Sequence, residues 1–469
     1  MTAIQTLTTI RFPSLTPRSR LEELLAHLVD IRAGEGVGAL LFALNLFLLL
    51  GAYYMLKTAR EALILSQGGA EVKSYSSAAQ ALVLLVLVPL YSWVTSRLNR
   101  IQAVTGVTLL FAVNLAAFAV AASMGASIGV LFFIWVGIFN VTVIAQFWSF
   151  ASDVWTEEQG KRLLPVVGMG SSLGAFVGAK IARPLFHAMG PNEILLIAGF
   201  ALGACVLLTR AADRKLRRTS PTQERIASAP LDATDGFRMV ISNRYLLLIA
   251  GFVLLLNLVN TSGEFLLSRL VVDEARKVAG ASLELRRQFI GEFYSNFFAW
   301  AGFGGLIIQF LLVSRIFKHI GVRAALFIVP CIALAGYGLL ALAPALAVLR
   351  VAKVFENAGD YSLQNSARHA LFLRTSREAR YNAKAAIDTF FWRTGDLLQA
   401  GCVYLGTRWG FGTGDFAALT MALTVVWIGL VALLFREYGR QAEPVPAPVR
   451  TVRRPQTTTM LLRGQHTVA

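Results

Sequence analysis

The chain is short of what most soluble enzymes are built from. Only 15% of its 469 residues are charged, well under the share an ordinary soluble surface carries. Cysteine is nearly absent. Cys205, Cys331 and Cys402 all fall inside apolar runs, so buried thiols are expected, with neither a disulfide framework nor a metal site. The histidines His27, His187, His319, His369 and His466 stand apart, without HExxH or any other ligand spacing. No metal and no cofactor are expected. There is no Walker loop and no GxSxG, which disfavours an ATP-driven pump and leaves no hydrolytic constellation, so an enzyme is not expected. A cleavable signal peptide is missing from residues 1–34, which are polar and basic. Acidic residues are outnumbered, 27 against 44 Lys and Arg, for a formal charge of +17. In a soluble chain that excess would point to nucleic acid. Here the basic residues lie between apolar runs, where retention on the cytoplasmic side and anionic lipid account for them, and no nucleic-acid partner is expected.

What is present is apolar: 56% of the residues are hydrophobic. At about 20 residues per crossing there is room for about ten to fourteen membrane helices. The runs are continuous and do not alternate with period two, which argues against a β-barrel. Twelve spans are expected, near 36–56, 75–94, 101–123, 128–151, 164–186 and 193–209, then 245–267, 289–313, 324–343, 346–373, 383–405 and 416–435. The fifth carries GMGSSLGAFVGAK, small residues that let helices approach closely. The domain plan is a six-helix half over 1–209, a basic mobile linker over 210–243, a second half over 244–435 and a basic disordered tail over 436–469. About 29 Lys and Arg fall on the side of the termini against about 12 on the other, so both ends are expected in the cytoplasm of a bacterial-type inner membrane. SRLNRIQAV after the second span echoes SRIFKHIGVRAA after the eighth. TEEQGKR after the fourth echoes SREARYNAK after the tenth. Related halves are a transporter signature that places a substrate between them near mid-membrane.

The stretch 353–396 is anomalous in so greasy a chain, carrying Lys353, Glu356, Asp360, Arg368, Lys384, Asp388, Arg393 and Asp396. An ionisable group within a span costs a few kcal/mol even on mild scales, so such groups face a protein interior or a watery cavity. Lys384 and Asp388 share one face of the eleventh span, and Arg393 and Asp396 follow a turn or two later. Lys57 and Arg60, with Glu61, lie at the end of the first span, where they either meet an anion or snorkel to headgroups. In the seventh, Asn257, Asn260 and Glu264 share a helical face. Glu158, Lys161 and Arg162, with Glu61, are candidates for gating; a solvated loop is the plainer account of the first three.

Four segments resemble the ATP:ADP antiporter family of plastids and obligate intracellular bacteria, distant relatives of the major facilitator fold. They are MLKTAREALILSQGGAEV, FWSFASDVWTEEQGKRLLPVVG, FIGEFYSNFFAWAGF, and FENAGDYSLQNSARHALFL with YNAKAAIDTFFWRTGD. The resemblance implies anion-binding roles for Arg60 and Lys384. Two positions depart from it: Asn260 and Gln159 stand where the family has an acidic residue. The expected protein is thus an all-α, major-facilitator-like antiporter, acting as a monomer by alternating access. Nucleotide phosphates would rest on Lys57, Arg60, Lys384 and Arg393, with Asp388, Asn260 and Glu264 beside them and the base stacked on Tyr361, Phe391 or Trp392. Self-repulsion of the cations and pairing within helices would hold the empty carrier in place. The alternative is a proton-coupled facilitator for another organic anion, with Asp388 and Glu264 as proton sites.

Overall fold

The computed structural model describes residues 31–32, 35–155, 157–217, 233–376 and 379–440. Of the expected mobile linker (210–243) and tail (436–469), residues 218–232 and 441–469 lie outside them. Among the described residues there is no strand, and nine helices are long and apolar enough to cross a membrane.

The first of these, Gly36–Ser96, is two helices joined at a break. Gly69 has φ 75°, a backbone turn that only glycine takes cheaply. We therefore count α1 as 36–68 and α2 as 70–96. Then follow α3 (Arg100–Ser123), α4 (129–154), α5 (Glu157–Ala188) and α6 (Pro191–Arg217). A short helix, Ala233–Ser242, leads into α7 (Arg244–Ala279), α8 (Leu283–His319), α9 (Gly321–Leu342), α10 (346–374), α11 (379–408) and α12 (Thr413–Arg440). Two six-helix halves result.

Three expectations are corrected. KTAREALILSQGGAEVK is not a polar turn; it is helical on both sides of Gly69, so Lys57, Arg60 and Glu61 stand within α1 rather than at its end. At 1.5 Å per residue they lie about 12–18 Å from the turn at Gly69, about half the depth of a ~30 Å hydrocarbon layer. The linker is structured at both ends: α6 runs to Arg217, and Ala233–Ser242 packs Phe237 on Phe390 and Phe391 of α11, with ring centroids 4.7 and 5.5 Å apart. Of the three cysteines only Cys205 is buried; Cys331 is exposed and Cys402 half-buried. A cysteine thiol, small and nearly apolar, is as comfortable against lipid as in a core, so the apolar run alone could not decide which.

The glycines of α5 do pack as their spacing suggests. A Cβ on Gly170, Gly174 or Gly178 would lie 2.2, 2.2 or 2.3 Å from the carbonyl oxygens of Ala43, Phe47 and Gly51, so only hydrogen fits where α5 crosses α1. The two halves also echo each other. Both α4 and α10 widen into a π-turn, at Asn140–Ile144 and Asp360–Gln364. Each begins 16 residues before its charged segment, at Thr156 and Ser376.

Hydrogen bonds and ion pairs between the halves sit at mid-bundle or at the end away from the chain's start. There Ser295 donates to the Ala179 carbonyl at 2.6 Å, Gln399 to Ser74 at 3.2 Å, and Arg183 reaches Glu292 at 3.6 Å. At the chain-start end, Arg32 pairs with Glu158 and Arg162 with Glu35, both within the first half.

Candidate functional site

The i,i+3 spacing of Lys57 and Arg60 puts both on the face of α1 that looks toward the second half. Lys57 Nζ lies 4.2 Å from the ring centroid of Phe298 and 5.8 Å from that of Tyr361, and donates to the Tyr361 hydroxyl at 3.4 Å. Tyr361 is 39% exposed although it faces Lys57 of the opposite half. A solvent-reachable space therefore separates the halves at this level. The Arg60 guanidinium stacks 4.5 Å from Phe133 and pairs with Glu61, its Nε at 3.0 Å from Oε1.

Glu61 is 1% exposed. An ion that deep in a helix bundle needs compensation, and it has two partners. Besides Arg60 it holds Lys73 of α2, Nζ to Oε2 at 2.7 Å. Lys73 then crosses to the other half: it donates to Ser268 at 2.9 Å, lies 3.8 Å from the Glu264 carboxylate and sits 5.4 Å from the Tyr294 ring. Glu264 also accepts from Asn357 at 3.2 Å. Beyond it, fully buried Lys353 donates to the Asn260 side chain at 2.8 Å and pairs with Glu356 at 3.0 Å, and Tyr337 donates to Glu356 at 2.7 Å.

The expected site residues thus fall into three groups. Lys57, Arg60, Glu61, Asn260, Glu264 and Tyr361 share the mid-bundle network. Lys384 and Asp388 pair with each other inside α11, with Lys384 5.8 Å from the Phe372 ring, and among the described residues no hydrogen bond or ion pair ties them to that network. Arg393 pairs with Asp396 at 3.3 Å, and Asp396 accepts from Asn257 at 2.9 Å. Of the aromatic candidates, Phe391 is covered by Phe237 and Trp392 by the Arg368 guanidinium at 5.0 Å, which leaves Tyr361 open. Of the gating candidates, Glu61 belongs to the mid-bundle network and the other three lie at the chain-start end. Glu158 pairs with Arg32 at 2.5 Å, and Arg162 with Glu35 at 3.0 Å, all within the first half. The Lys161 side chain lies outside the described residues.

The two departures from the family pattern have local partners. The Gln159 amide donates to Glu35 at 3.2 Å, a contact a carboxylate could not make without protonation. Asn260 accepts from Lys353, whose charge Glu356 already balances. The picture of self-repelling cations is corrected as well: apart from Lys57, each cation of the mid-bundle network has a carboxylate partner. Lys73, Ser268, Tyr294 and Asn357 were not foreseen. Lys73 hid in a segment taken for a turn. Its one signal was a lone lysine between apolar helices.

No protein-family model matches the chain. Its curated relatives include the ADP,ATP carrier protein 1 of Rickettsia conorii (23% identical over 337 residues, 62% of this chain) and that of Rickettsia typhi (24% over 341 residues, 62% of this chain). The chain spans 65% of the length of each of these relatives. Among solved structures it is similar to the nucleoside transporter NupG (TM-score 0.59, 12% identical, 87% of this chain and 99% of that one). It is also similar to a bacterial homologue of the human lysosomal transporter Spinster in its inward-facing, unoccupied conformation (TM-score 0.58, 14% identical, 89% and 100%). The protein is a multi-pass membrane protein with the all-α fold of major-facilitator-type transporters. Among curated proteins, its likeness is to ADP,ATP carriers.

Proposed function

We propose that the protein exchanges organic phosphates of the nucleotide class across the membrane by alternating access. The observation that carries this is the pair Lys57 and Arg60, held at mid-depth on α1 beside the open face of Tyr361, between the two halves. A phosphate brings negative charge into a low-dielectric space, where nearby cations and charge-assisted hydrogen bonds are what stabilise it. Lys57, with aromatic rings but no carboxylate at ion-pair distance, takes the first phosphate oxygen. Arg60, which can turn from Glu61, takes a second. Tyr361 offers its ring to the base. Lys384 lies toward the open end, where it meets the substrate on its way in. The names of the relatives support the nucleotide class. With both termini cytoplasmic, as the basic residues suggest, the open end faces the cytoplasm, and one copy of the chain forms the whole pathway.

The test is a thermal-shift screen of the purified protein against ATP, ADP, GTP, CTP, AMP, phosphate and NAD. A ligand at about 100 times its Kd adds about 2.7 kcal/mol of stability. A raised midpoint with ATP or ADP, abolished in Arg60→Ala, is expected, followed by uptake into vesicles only when they are preloaded with nucleotide. Uptake into empty vesicles would overturn the exchange.

A further inference from the structure

We propose that Glu264 takes up a proton when a multiply charged anion binds at Lys57 and Arg60. The carrier then moves its anion with a proton, and it favours substrates of two or more negative charges. This rests on the anion site proposed above and adds the group that balances its charge.

The vacant network is nearly neutral by construction. Its cations are Lys57, Arg60, Lys73 and Lys353, and its carboxylates Glu61, Glu264 and Glu356, for one net positive charge. A monoanion neutralises it. A dianion or polyphosphate leaves excess negative charge where water is scarce, and a buried charge without a partner is neutralised by protonation rather than tolerated. The proton goes to the carboxylate whose nearest cation, Lys73 at 3.8 Å, is shared, and whose charge is otherwise balanced by the cations of the anion site itself. Glu61 has Arg60 and Lys73, the latter at 2.7 Å. Glu356 has Lys353 at 3.0 Å and the Tyr337 hydroxyl at 2.7 Å. Glu264 has a neutral amide, Asn357, and a share of Lys73 at 3.8 Å, whose ammonium lies closer to Glu61 at 2.7 Å and donates a hydrogen bond to Ser268.

Every helix packed around Glu264 presents a group that acts on it. They are Lys57, Arg60 and Glu61 from α1, Lys73 from α2, Tyr294 from α8, Tyr337 from α9, and Lys353, Glu356 and Tyr361 from α10. When an anion occupies Lys57 and Arg60, two of the four cations acting on Glu264 are screened. Glu61, released by Arg60, draws Lys73 further from Glu264. Both changes favour the protonated form. A neutral Glu264 also loosens the cross-half contact made by Lys73, the movement an occupied carrier needs before its closed end can open.

The experiment is calorimetric titration of the full chain in detergent with ADP and with inorganic pyrophosphate, in two buffers of different ionisation enthalpy, from pH 6 to pH 8. The expected result is uptake of about one proton per anion bound near pH 7, hence an affinity falling about tenfold per pH unit above the Glu264 transition. In Glu264→Gln the uptake disappears and binding is tighter at pH 8. Where that variant fails to fold, Asn357→Ala serves: it removes the amide that favours the ionised form, so uptake at pH 7 falls below that of the wild type. Binding with the same heat in both buffers overturns the proton linkage and leaves the anion site standing. Uptake that survives in Glu264→Gln overturns the assignment. Pyrophosphate binding without ADP binding keeps the linkage and overturns the nucleotide. Binding of neither overturns both.

Discussion

Two regions of the molecule carry charge inside helices, and they resolve it in opposite ways. In α11 the spacing of Lys384 with Asp388 and of Arg393 with Asp396 closes each pair on its own helix. In α1 and α2 the charges cannot settle locally. Glu61 serves both Arg60 and Lys73, and Lys73 reaches Ser268 and Glu264 of the other half. A pair closed within one helix travels with that helix and reports nothing of its surroundings. A pair that spans the halves must break or reform whenever they rock, so it couples charge to conformation. The densest charge in the sequence is therefore not where the coupling is expected; the sparser α1–α2 charges are.

The largest effect that separates the two regions is loss of ligand. Arg60→Ala is expected to weaken ADP binding by about 100-fold, the scale of a lost charge-assisted bidentate contact. Lys384→Ala, which removes a pair already satisfied by its neighbour, should cost a few-fold at most. Kd values from titration decide it, and equal losses would place Lys384 on the bound anion after all. A double-mutant cycle is the next sharpest. Glu61→Gln with Lys73→Met is expected to show a coupling of about 1–3 kcal/mol in thermal stability, because a single change leaves a buried charge alone. Lys384→Met with Asp388→Asn, about a quarter exposed on both side chains, should couple by under about 1 kcal/mol.

How far the sequence reached follows the same division. Helix number, the close helix approach that the α5 glycines allow and the helical faces of 257–264 and 384–396 were legible because each rests on local periodicity or on glycine spacing; that α1 is the partner was not. The α1 cluster was half legible. Lys57 and Arg60 were named, but polar residues after an apolar run look like a loop, and only tertiary packing keeps 57–68 helical. Lys73 could not have been assigned, since its partners Ser268 and Glu264 are 195 and 191 positions away. Lys353 and Glu356 stood in the conspicuous stretch, yet their closure with Asn260 and Tyr337 depends on helix rotations that no single helix specifies.

Thiol crosslinking tests whether the contacts between halves are a latch or a permanent seam. Ser74→Cys with Gln399→Cys, whose native side chains meet at 3.2 Å, should be joined in the vacant protein by a bifunctional thiol reagent whose short spacer replaces the length of the lost glutamine. ADP should slow the reaction about tenfold if occupancy opens this end, about 1.4 kcal/mol of population shift. An unchanged rate would make the contact a seam. Crosslinked protein should lose exchange and keep ADP binding from the open side.

The smallest expected effect lies at the chain-start end, where Glu35 ties the entry of α1 to α5. Burial alone would push its carboxyl up. Hydrogen bonds from Arg162, the Arg32 backbone and Gln159 outweigh that and hold it below the ordinary carboxylate range near 4.5. A carboxyl with a lowered value in the folded state stabilises the fold above its unfolded value, and the gain is lost as pH falls through the folded one. The wild type should therefore have a slightly higher midpoint than Glu35→Gln at pH 7, with the gap closing below pH 4.5. The exposed pair Arg32 and Glu158, 59% and 67% open to solvent, should show no measurable gap at either pH. If Glu35→Gln lowers transport at pH 7 more than it lowers the midpoint, then this end also closes during the cycle. The Glu35–Arg162 contact would then exchange partners across the halves, as is proposed for Lys73 at mid-bundle.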